Sequence, residues 1–333
     1  MLKFGVGIAI TGSGSATPEQ VLSNDDLAMM VDTSDEWIKA RTGISRRHLA
    51  PSSGSLSQLS AEAGLKALAM AELAPNDLDL ILLATSSPDD LFGSACQVQR
   101  LLGASRAVAF DLTAACSGFV FGLVTAAQYI RTGTYRNVLV IGADILSRWV
   151  DWNDRGTCIL FGDGAGAVVC QASETGDRLL GFEMCSDGTQ NSSLNLAYQG
   201  QEKFINTKSE ITQGNYQFIT MNGREVYRFA VAKVPEVIEK ALYRANLSAA
   251  DLDWLLLHQA NQRIIDAVAD RLKIKSEKVI SNVCEYGNTS AASIPIALDE
   301  AIRIGKVKDG DIIATSGFGA GLSWGSAIIQ WGK

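Results

Sequence analysis

The chain has 333 residues, 47% of them apolar and 20% charged, with a formal net charge of −7. That length supports one large domain or two of ordinary size, with ample core. The acidic balance leaves no excess of Lys and Arg to neutralise phosphates, which argues against nucleic acid as the main partner. No apolar run approaches the ~20 residues that span a bilayer, so no membrane role is expected.

From the start of the chain, Phe4 to Ile10 reads as a first strand ending in a glycine-serine turn (TGSGS), too short and glycine-broken for a signal sequence. Residues 71–84, AELAPNDLDLILLA, reappear as ANLSAADLDWLLLH at 245–258, an offset of 245 − 71 = 174. GLVTAAQYIRTG (122–133) likewise matches IPIALDEAIRIG (294–305) at offset 172, both reading as helices that end at glycine. NVLVIGA (137–143) and DIIATSG (311–317) both read as strands. Three matches in one order at nearly constant offset indicate a duplicated α/β chain with mostly parallel strands. The polar stretch around 172–180 divides it into halves 1–175 and 176–333.

Six scattered cysteines (96, 116, 158, 170, 185 and 284) contain no C-x-x-C, so neither a disulfide framework nor a zinc site is indicated, and a reducing cytoplasm is the natural setting. Two histidines are too few for a His-rich metal site. In DLTAACSGFVFGL, Cys116 sits among small residues at the foot of a helical pattern, where a helix N-terminus lowers thiol pKa. The plain alternative is a buried, inert cysteine, the reading kept for the other five. Adding 172 to 116 gives Asn288, in EYGNTSAAS, a turn or N-cap residue that could also present its amide. His258 ends the strand WLLL at the equivalent of Ala84, and catalytic groups favour such carboxyl ends. His48, in SRRHLAP, reads as a solvated basic loop. FGDGAGAVV (161–169) lacks the G-K-[ST] of a phosphate loop and reads as a glycine-rich turn, and the tail GFGAGLSWG offers backbone N–H groups for an oxyanion.

Together DTSDEWIKARTGISRR, DLTAACSGF, DRGTCILFGDGAGA, MNGREVYRFAV, HQANQRI, EYGNTSAASIP and GFGAGLSWG resemble β-ketoacyl-acyl carrier protein synthase III, a condensing-enzyme family of the thiolase superfamily. The resemblance runs nearly end to end and implies a duplicated, five-layered α-β-α-β-α fold. It places the catalytic Cys-His-Asn set on Cys116, His258 and Asn288, with no cofactor beyond a coenzyme A thioester as substrate. It implies that Cys116 is acylated by a short acyl-CoA, usually acetyl-CoA. Malonyl-acyl carrier protein then loses CO2 and condenses with the acyl group, with Cys116 and Ala320 N–H groups as the oxyanion hole. Coenzyme A contacts carry over to Trp37 and Arg41, on a helix opened by Thr33-x-x-Glu36, and to Arg155, Gly156, Asn261 and Gly319. In the family the adenine lies between the Trp and the DRGT Arg. Docking of the acidic carrier protein falls to Arg224, Arg228 and Arg263, the first two on one helix face. The acyl pocket is shaped by Leu91 or Phe92 from the partner in a homodimer. A type III polyketide-synthase-like enzyme is the alternative, and a non-catalytic acyl-CoA or carrier-protein binding module is the reading from another class.

Overall fold

A computed structural model describes residues 6–206 and 209–332. Ten strands form two five-stranded sheets. The first holds β1 (Gly7–Ala16), β2 (Leu80–Ala84), β3 (Val108–Leu112), β4 (Asn137–Asp144) and β5 (Gly164–Ser173) in the order β1-β5-β4-β2-β3. The second holds β6 (Leu179–Ser186), β7 (Trp254–Leu257), β8 (Val279–Ile280), β9 (Ile312–Gly319) and β10 (Ser323–Gln330) in the order β6-β10-β9-β7-β8. The two orders are the same. In each, the last three strands are parallel and the first two join antiparallel. The sheets are therefore mixed rather than mostly parallel. The closing strand of each half returns beside its predecessor, a pairing that needs no crossover helix.

Six helices position the rest: α1 (Asp35–Thr42), α2 (Leu56–Ala71), α3 (Gly118–Arg131), α4 (Gly223–Arg244), α5 (Gln262–Leu272) and α6 (Ser293–Arg303). Helix α2 packs on the first sheet, α4 on the second, and α3 and α6 lie between the sheets and touch both. The layers are thus α-β-α-β-α. Three apolar cores fill them. One joins α2 to the first sheet, a central one joins α3 and α6 to the inner faces of both sheets, and the third lies under α4 and α5. Helix α3 buries Phe119, Val120, Leu123, Val124, Ala126, Ala127 and Ile130, the nearly all-round apolar surface of a helix held between two layers. Truncating Leu123 to Ala there would cost about 2–5 kcal/mol.

The duplication extends to single backbone angles. Glu72 (φ 58°) and Asn246 (φ 55°) end their helices in the left-handed region, 246 − 72 = 174 residues apart. Asp77 and Asp251 then cap the following short turns by accepting from the N–H groups of Ala74 and Ser248.

Two glycine-rich stretches depart from the sequence reading. TGSGS is not a turn but the middle of β1, because a Cβ at Gly12 or Gly14 would overlap the carbonyl oxygens of Ala67 and Ala63 on α2. In FGDGAGAVV only Phe161, Gly162 and Asp163 precede the strand. Gly164 and Gly166 lie inside β5, where a Cβ on Gly166 would come within 2.7 Å of Ile296 N on α6. These glycines let helices approach the sheets closely, which in sequence looks the same as a turn signal.

Candidate active site

Cys116 lies in a single 3-10 turn, Ala115–Ser117, that leads into α3. Its side of the fold is crowded: Gly319 of β9 abuts Cys116 so closely that a Cβ there would sit 2.7 Å from Cys116 N. The residue is 7% exposed. Burial pushes its thiol up to about 12, against a hydrogen bond from Ser290 that favours the thiolate. Burial thus acts against the lowering expected from a helix N-terminus, because desolvation disfavours the charged thiolate.

The offset of 172 that links Cys116 to Asn288 holds at the C-terminal ends of the two central helices, where Gly133 and Gly305 both have φ 74°. At their starts the offset is 175: Ala115 (φ 47°) pairs with Ser290 (φ 52°), and the turn Ala115–Ser117 with Ser290–Ala292. Helix α6 is three residues shorter than α3, so the pseudo-symmetric counterpart of Cys116 is Ala291. Asn288 nonetheless lies at the site, three residues upstream of that counterpart.

The segment Asn288–Ser293 gathers the three residues. Asn288 is clamped through its backbone, its N–H donating to Leu160 O at 2.9 Å and its carbonyl accepting from Gly162 N at 3.0 Å. Its Oδ1 accepts from Ser290 N at 2.9 Å, which leaves the amide N–H2 free to donate. Ser290 Oγ donates to Cys116 Sγ at 3.2 Å. Ser293 Oγ sits 2.7 Å from His258 Nδ1 and also accepts from Gln259 N at 3.2 Å. When the serine hydroxyl donates to Nδ1, the imidazole proton sits on Nε2. His258 is buried and its pKa is lowered to about 3 by desolvation, so the ring is a neutral hydrogen-bond donor rather than an imidazolium. Phe318 meets it edge-on at 5.2 Å.

Cys116, Ser290 and Ala320 line a cavity of about 1420 Å³ whose wall also includes Leu91, Phe92 and Phe161. Leu91 is 77% and Phe92 100% exposed, beside the unpaired edge of β3.

Trp37, Arg41, Arg155 and Asn261 form a second cluster outside that wall. The cap of α1 is Ser34, which accepts from Trp37 N at 3.1 Å, not Thr33; this puts Asp35 and Glu36 in the first turn, where the helix dipole favours acids. Arg41 and Arg155 both lie over Trp37, at 5.1 and 4.9 Å from the ring centre. Arg155 thus occupies a face of the indole directly, and an adenine between them would have to displace it. Asn261 caps α5 through Oδ1 to Arg263 N and donates from Nδ2 to Arg41 O at 3.0 Å, tying α5 to α1. Gly156 N donates to Asp154 Oδ1. On α4, Arg224 and Arg228 are exposed; Arg228 pairs with Glu225 at 2.9 Å, and Arg263 stacks over the neighbouring Tyr227.

Comparison with known proteins decides the family. Residues 110–188 match 3-oxoacyl-[acyl-carrier-protein (ACP)] synthase III, and residues 242–331 match its C-terminal part. The chain is 72% identical over 332 residues to a β-ketoacyl-[acyl-carrier-protein] synthase III from Microcystis aeruginosa, covering 100% of both chains. The chain belongs to the β-ketoacyl-acyl carrier protein synthase III family. A relative of the same description from Nostoc sp. is 68% identical over 328 residues, 98% of this chain and 99% of the relative. The crystal structure of 3-oxoacyl-[acyl-carrier-protein] synthase III from Aquifex aeolicus superposes with a TM-score of 0.89 at 44% identity, covering 98% of this chain and 100% of that one.

Four residues of the site escaped the sequence reading: Ser290, Ser293, Asp144 and Arg47. Arg47 and His48 are not in a solvated loop. They lie in a short ribbon paired with Val21–Ser23, which points Arg47 fully inward. Its guanidinium donates to Leu22 O, Asn24 Oδ1 and Ile159 O, and its stem packs between Gly162 and Gly287, so it braces the clamp on Asn288. His48 is half-buried, with Nδ1 2.6 Å from Pro18 O. Two cysteines read as buried filler, Cys96 and Cys284, are exposed.

Proposed function

We infer that this chain is a β-ketoacyl-acyl carrier protein synthase III that joins a short acyl-CoA, acetyl-CoA above all, to malonyl-acyl carrier protein. The observation that carries the reading is the Asn288–Ser293 segment, which supplies one partner each to Cys116 and His258 and contains Asn288 itself. Cys116 Sγ attacks the thioester carbonyl, and coenzyme A leaves. The tetrahedral oxygen is received by the N–H groups of Cys116 and Ala320. Malonyl-acyl carrier protein then loses CO2, and charge develops on its thioester oxygen as an enolate. Two neutral donors fixed in a water-poor site, His258 Nε2–H and an Asn288 amide N–H, stabilise that charge. The enolate carbon attacks the acyl-Cys and expels the Cys116 thiolate.

Coenzyme A is assigned to Trp37, Arg41, Arg155 and Gly156, with pantetheine passing Asn261 and Gly319. The carrier protein is assigned to Arg224, Arg228 and Arg263. Leu91 and Phe92, exposed beside the free β3 edge, fit a homodimer in which one of them shapes the partner's acyl pocket. The duplicated halves are assigned to 1–175 and 176–333, and the setting to the cytoplasm. Incubation with acetyl-CoA should add one acetyl group to Cys116 by peptide mass spectrometry, and none to Cys116→Ser. Malonyl-acyl carrier protein should then discharge it as a 3-oxoacyl product. No adduct with any acyl-CoA would reduce the protein to a binding module.

A further inference from the structure

Ser290 Oγ donates to Cys116 Sγ at 3.2 Å, and among the described residues no other side chain is hydrogen-bonded to that sulfur. His258 is engaged elsewhere, through Nδ1 with Ser293. The duplication puts the serine hydroxyl there. Ser290 is the counterpart of Ala115, and both hold a left-handed backbone, with φ 52° and 47°. Three bonds fix the serine turn. Ser290 N donates to Asn288 Oδ1 at 2.9 Å, Ala291 N to Asp144 Oδ2 at 3.2 Å and Ala292 N to Thr289 O at 3.0 Å. Asp144 closes β4 and is 0% exposed, so that anchor lies in the core of the other half. Gly142, two residues earlier, lets the turn come this close, since a Cβ there would overlap Ala291 O. Ser290 is itself buried. Its hydroxyl is thus held against the sulfur before any charge forms there, the arrangement that stabilises charge without reorganisation.

The sulfur carries charge twice in the reaction, once as nucleophile and once as leaving group. Burial disfavours the thiolate at both points. A hydrogen bond to an ionised acceptor is roughly twice as strong as one to a neutral acceptor, so this serine favours the thiolate over the thiol and over the thioester.

We propose that Ser290 is a catalytic residue whose hydroxyl stabilises the Cys116 thiolate, both as it attacks the acyl-CoA and as it leaves the acyl group in the condensation. In acylation the thiol first loses its proton to water in the cavity. The sulfur pair then bonds to the thioester carbon, and the carbon–sulfur bond to coenzyme A breaks with its pair on the coenzyme A sulfur, which takes a proton from water. In the condensation the enolate carbon bonds to the acyl carbon, and the bond to Sγ breaks with its pair on Sγ, facing Ser290. The serine keeps its own proton throughout. The proposal rests on the acyl-transfer reading above.

The test uses the full-length parent, Ser290→Ala and Ser290→Gly. Both variants remove the hydroxyl and keep the backbone N–H that holds Asn288. Ala115 shows that alanine takes this backbone on the twin turn, and glycine adopts it freely, so if thermal melts show one variant unfolded the other carries the test. The first measurement is the rate of Cys116 alkylation by iodoacetamide across about pH 6–10, read by peptide mass spectrometry. Loss of a hydrogen bond to a charged group should displace each variant's rate curve by about one unit to higher pH. The charged group acting on the sulfur, Asp144, is present in all three proteins, and His258 is a neutral ring. The elements packed on the Cys116 turn, β9, β10 and the serine turn, contain no titratable side chain, so the displacement reports the hydroxyl. The second measurement is by rapid quench. Acetylation of Cys116 by acetyl-CoA, and discharge of acetyl-Cys116 by malonyl-acyl carrier protein, should each slow by about 10-fold.

A packing role alone lowers the melting temperature and leaves the alkylation curve in place. Variant curves that coincide with the parent's therefore overturn the proposal, as do acetylation and discharge rates within about twofold of the parent's. A parent that is alkylated at Cys116 but never acquires the acetyl group fails the acyl-transfer reading itself, and the alkylation curves alone then decide the role of the serine.

Discussion

Gly319→Ala tests how tightly the fold holds its nucleophile. The added Cβ would lie 2.7 Å from Cys116 N, 3.1 Å from Cys116 Cβ and 3.2 Å from Ala115 Cβ. Unstrained contacts sit near ~3.5–4.0 Å, so something must retreat by about 1 Å. The turn cannot do so freely, because Ser117 Oγ is bonded to Ala114 O at 2.6 Å and to Ser323 Oγ at 2.8 Å. Nor can β9, which pairs with β7 on one side and β10 on the other. Overpacking of this kind costs about 1–3 kcal/mol, which lowers Tm by a few degrees and leaves the protein folded. A displacement near 1 Å at a reacting group costs about 100-fold in rate. The expected result is a folded variant whose Cys116 acetylation, read as acyl-enzyme by rapid-quench mass spectrometry, falls about 100-fold. A folded Gly319→Ala that acetylates within about threefold of the parent refutes the reasoning, since the turn would then absorb the methyl without moving the sulfur.

His258→Ala and Asn288→Ala should each lower condensation with malonyl-acyl carrier protein by about 10²–10³-fold, the loss expected for one oxyanion-type donor, while acetylation of Cys116 falls much less. Equal losses in both steps would count against their assignment to the enolate. The pH dependence of stability carries a sign. His258 has a pKa near 3 in the fold and ~6.5 when unfolded. The unfolded chain takes up a proton between these values and the native chain does not. This residue's contribution is therefore fully present above about 6.5 and is lost towards pH ~3, at about 1.4 kcal/mol per pH unit. Thermal melts of His258→Asn should show that acid-dependent loss removed; an unchanged loss contradicts a buried neutral ring. Phe92→Asp, at a 100% exposed aromatic beside the free β3 edge, should leave a folded monomer in sedimentation, and a variant that stays dimeric dissociates Phe92 from the interface.

What could be read in the sequence was whatever local patterning encodes. The Asp-Leu-Asp echo marks a capped turn followed by a strand, and both copies form that turn and that strand. The meeting of the Cys116 turn with the segment around Asn288 followed from the duplication, although the offset drifts by three residues because α6 is shorter than α3. Glycines were misread because one residue type serves both turns and close approach; only the helix lying over β1 or β5 distinguishes them. Asp144, Ser290 and Ser293 were invisible for another reason. Asp144 meets Ala291 across 147 residues and Ser290 meets Cys116 across 174, so nothing near either residue in sequence announces the pairing. Arg47 looked solvated because three charged or polar neighbours surround it, yet alternation along a two-stranded ribbon sends that one side chain inward.

The duplication also explains why the site rests uncharged at the reacting groups. Two equivalent turns, Ala115–Ser117 and Ser290–Ala292, meet at the centre of the molecule and exclude water from each other. A site with a nucleophile on both turns would place two thiols in one desolvated volume; here one turn carries Cys116 and its counterpart is Ala291, the residue whose N–H holds Asp144. The second turn is thereby free to supply a hydrogen bond from Ser290 to the sulfur, with Asn288 just before it and Ser293, the partner of His258, just after it. Burial that keeps Cys116 as a thiol and His258 as a neutral ring removes a competing thiolate–imidazolium pair. In the proposed condensation, the first large charge to develop at His258 and Asn288 is the enolate, and donors that are neutral, oriented and already dry stabilise such a charge without reorganising.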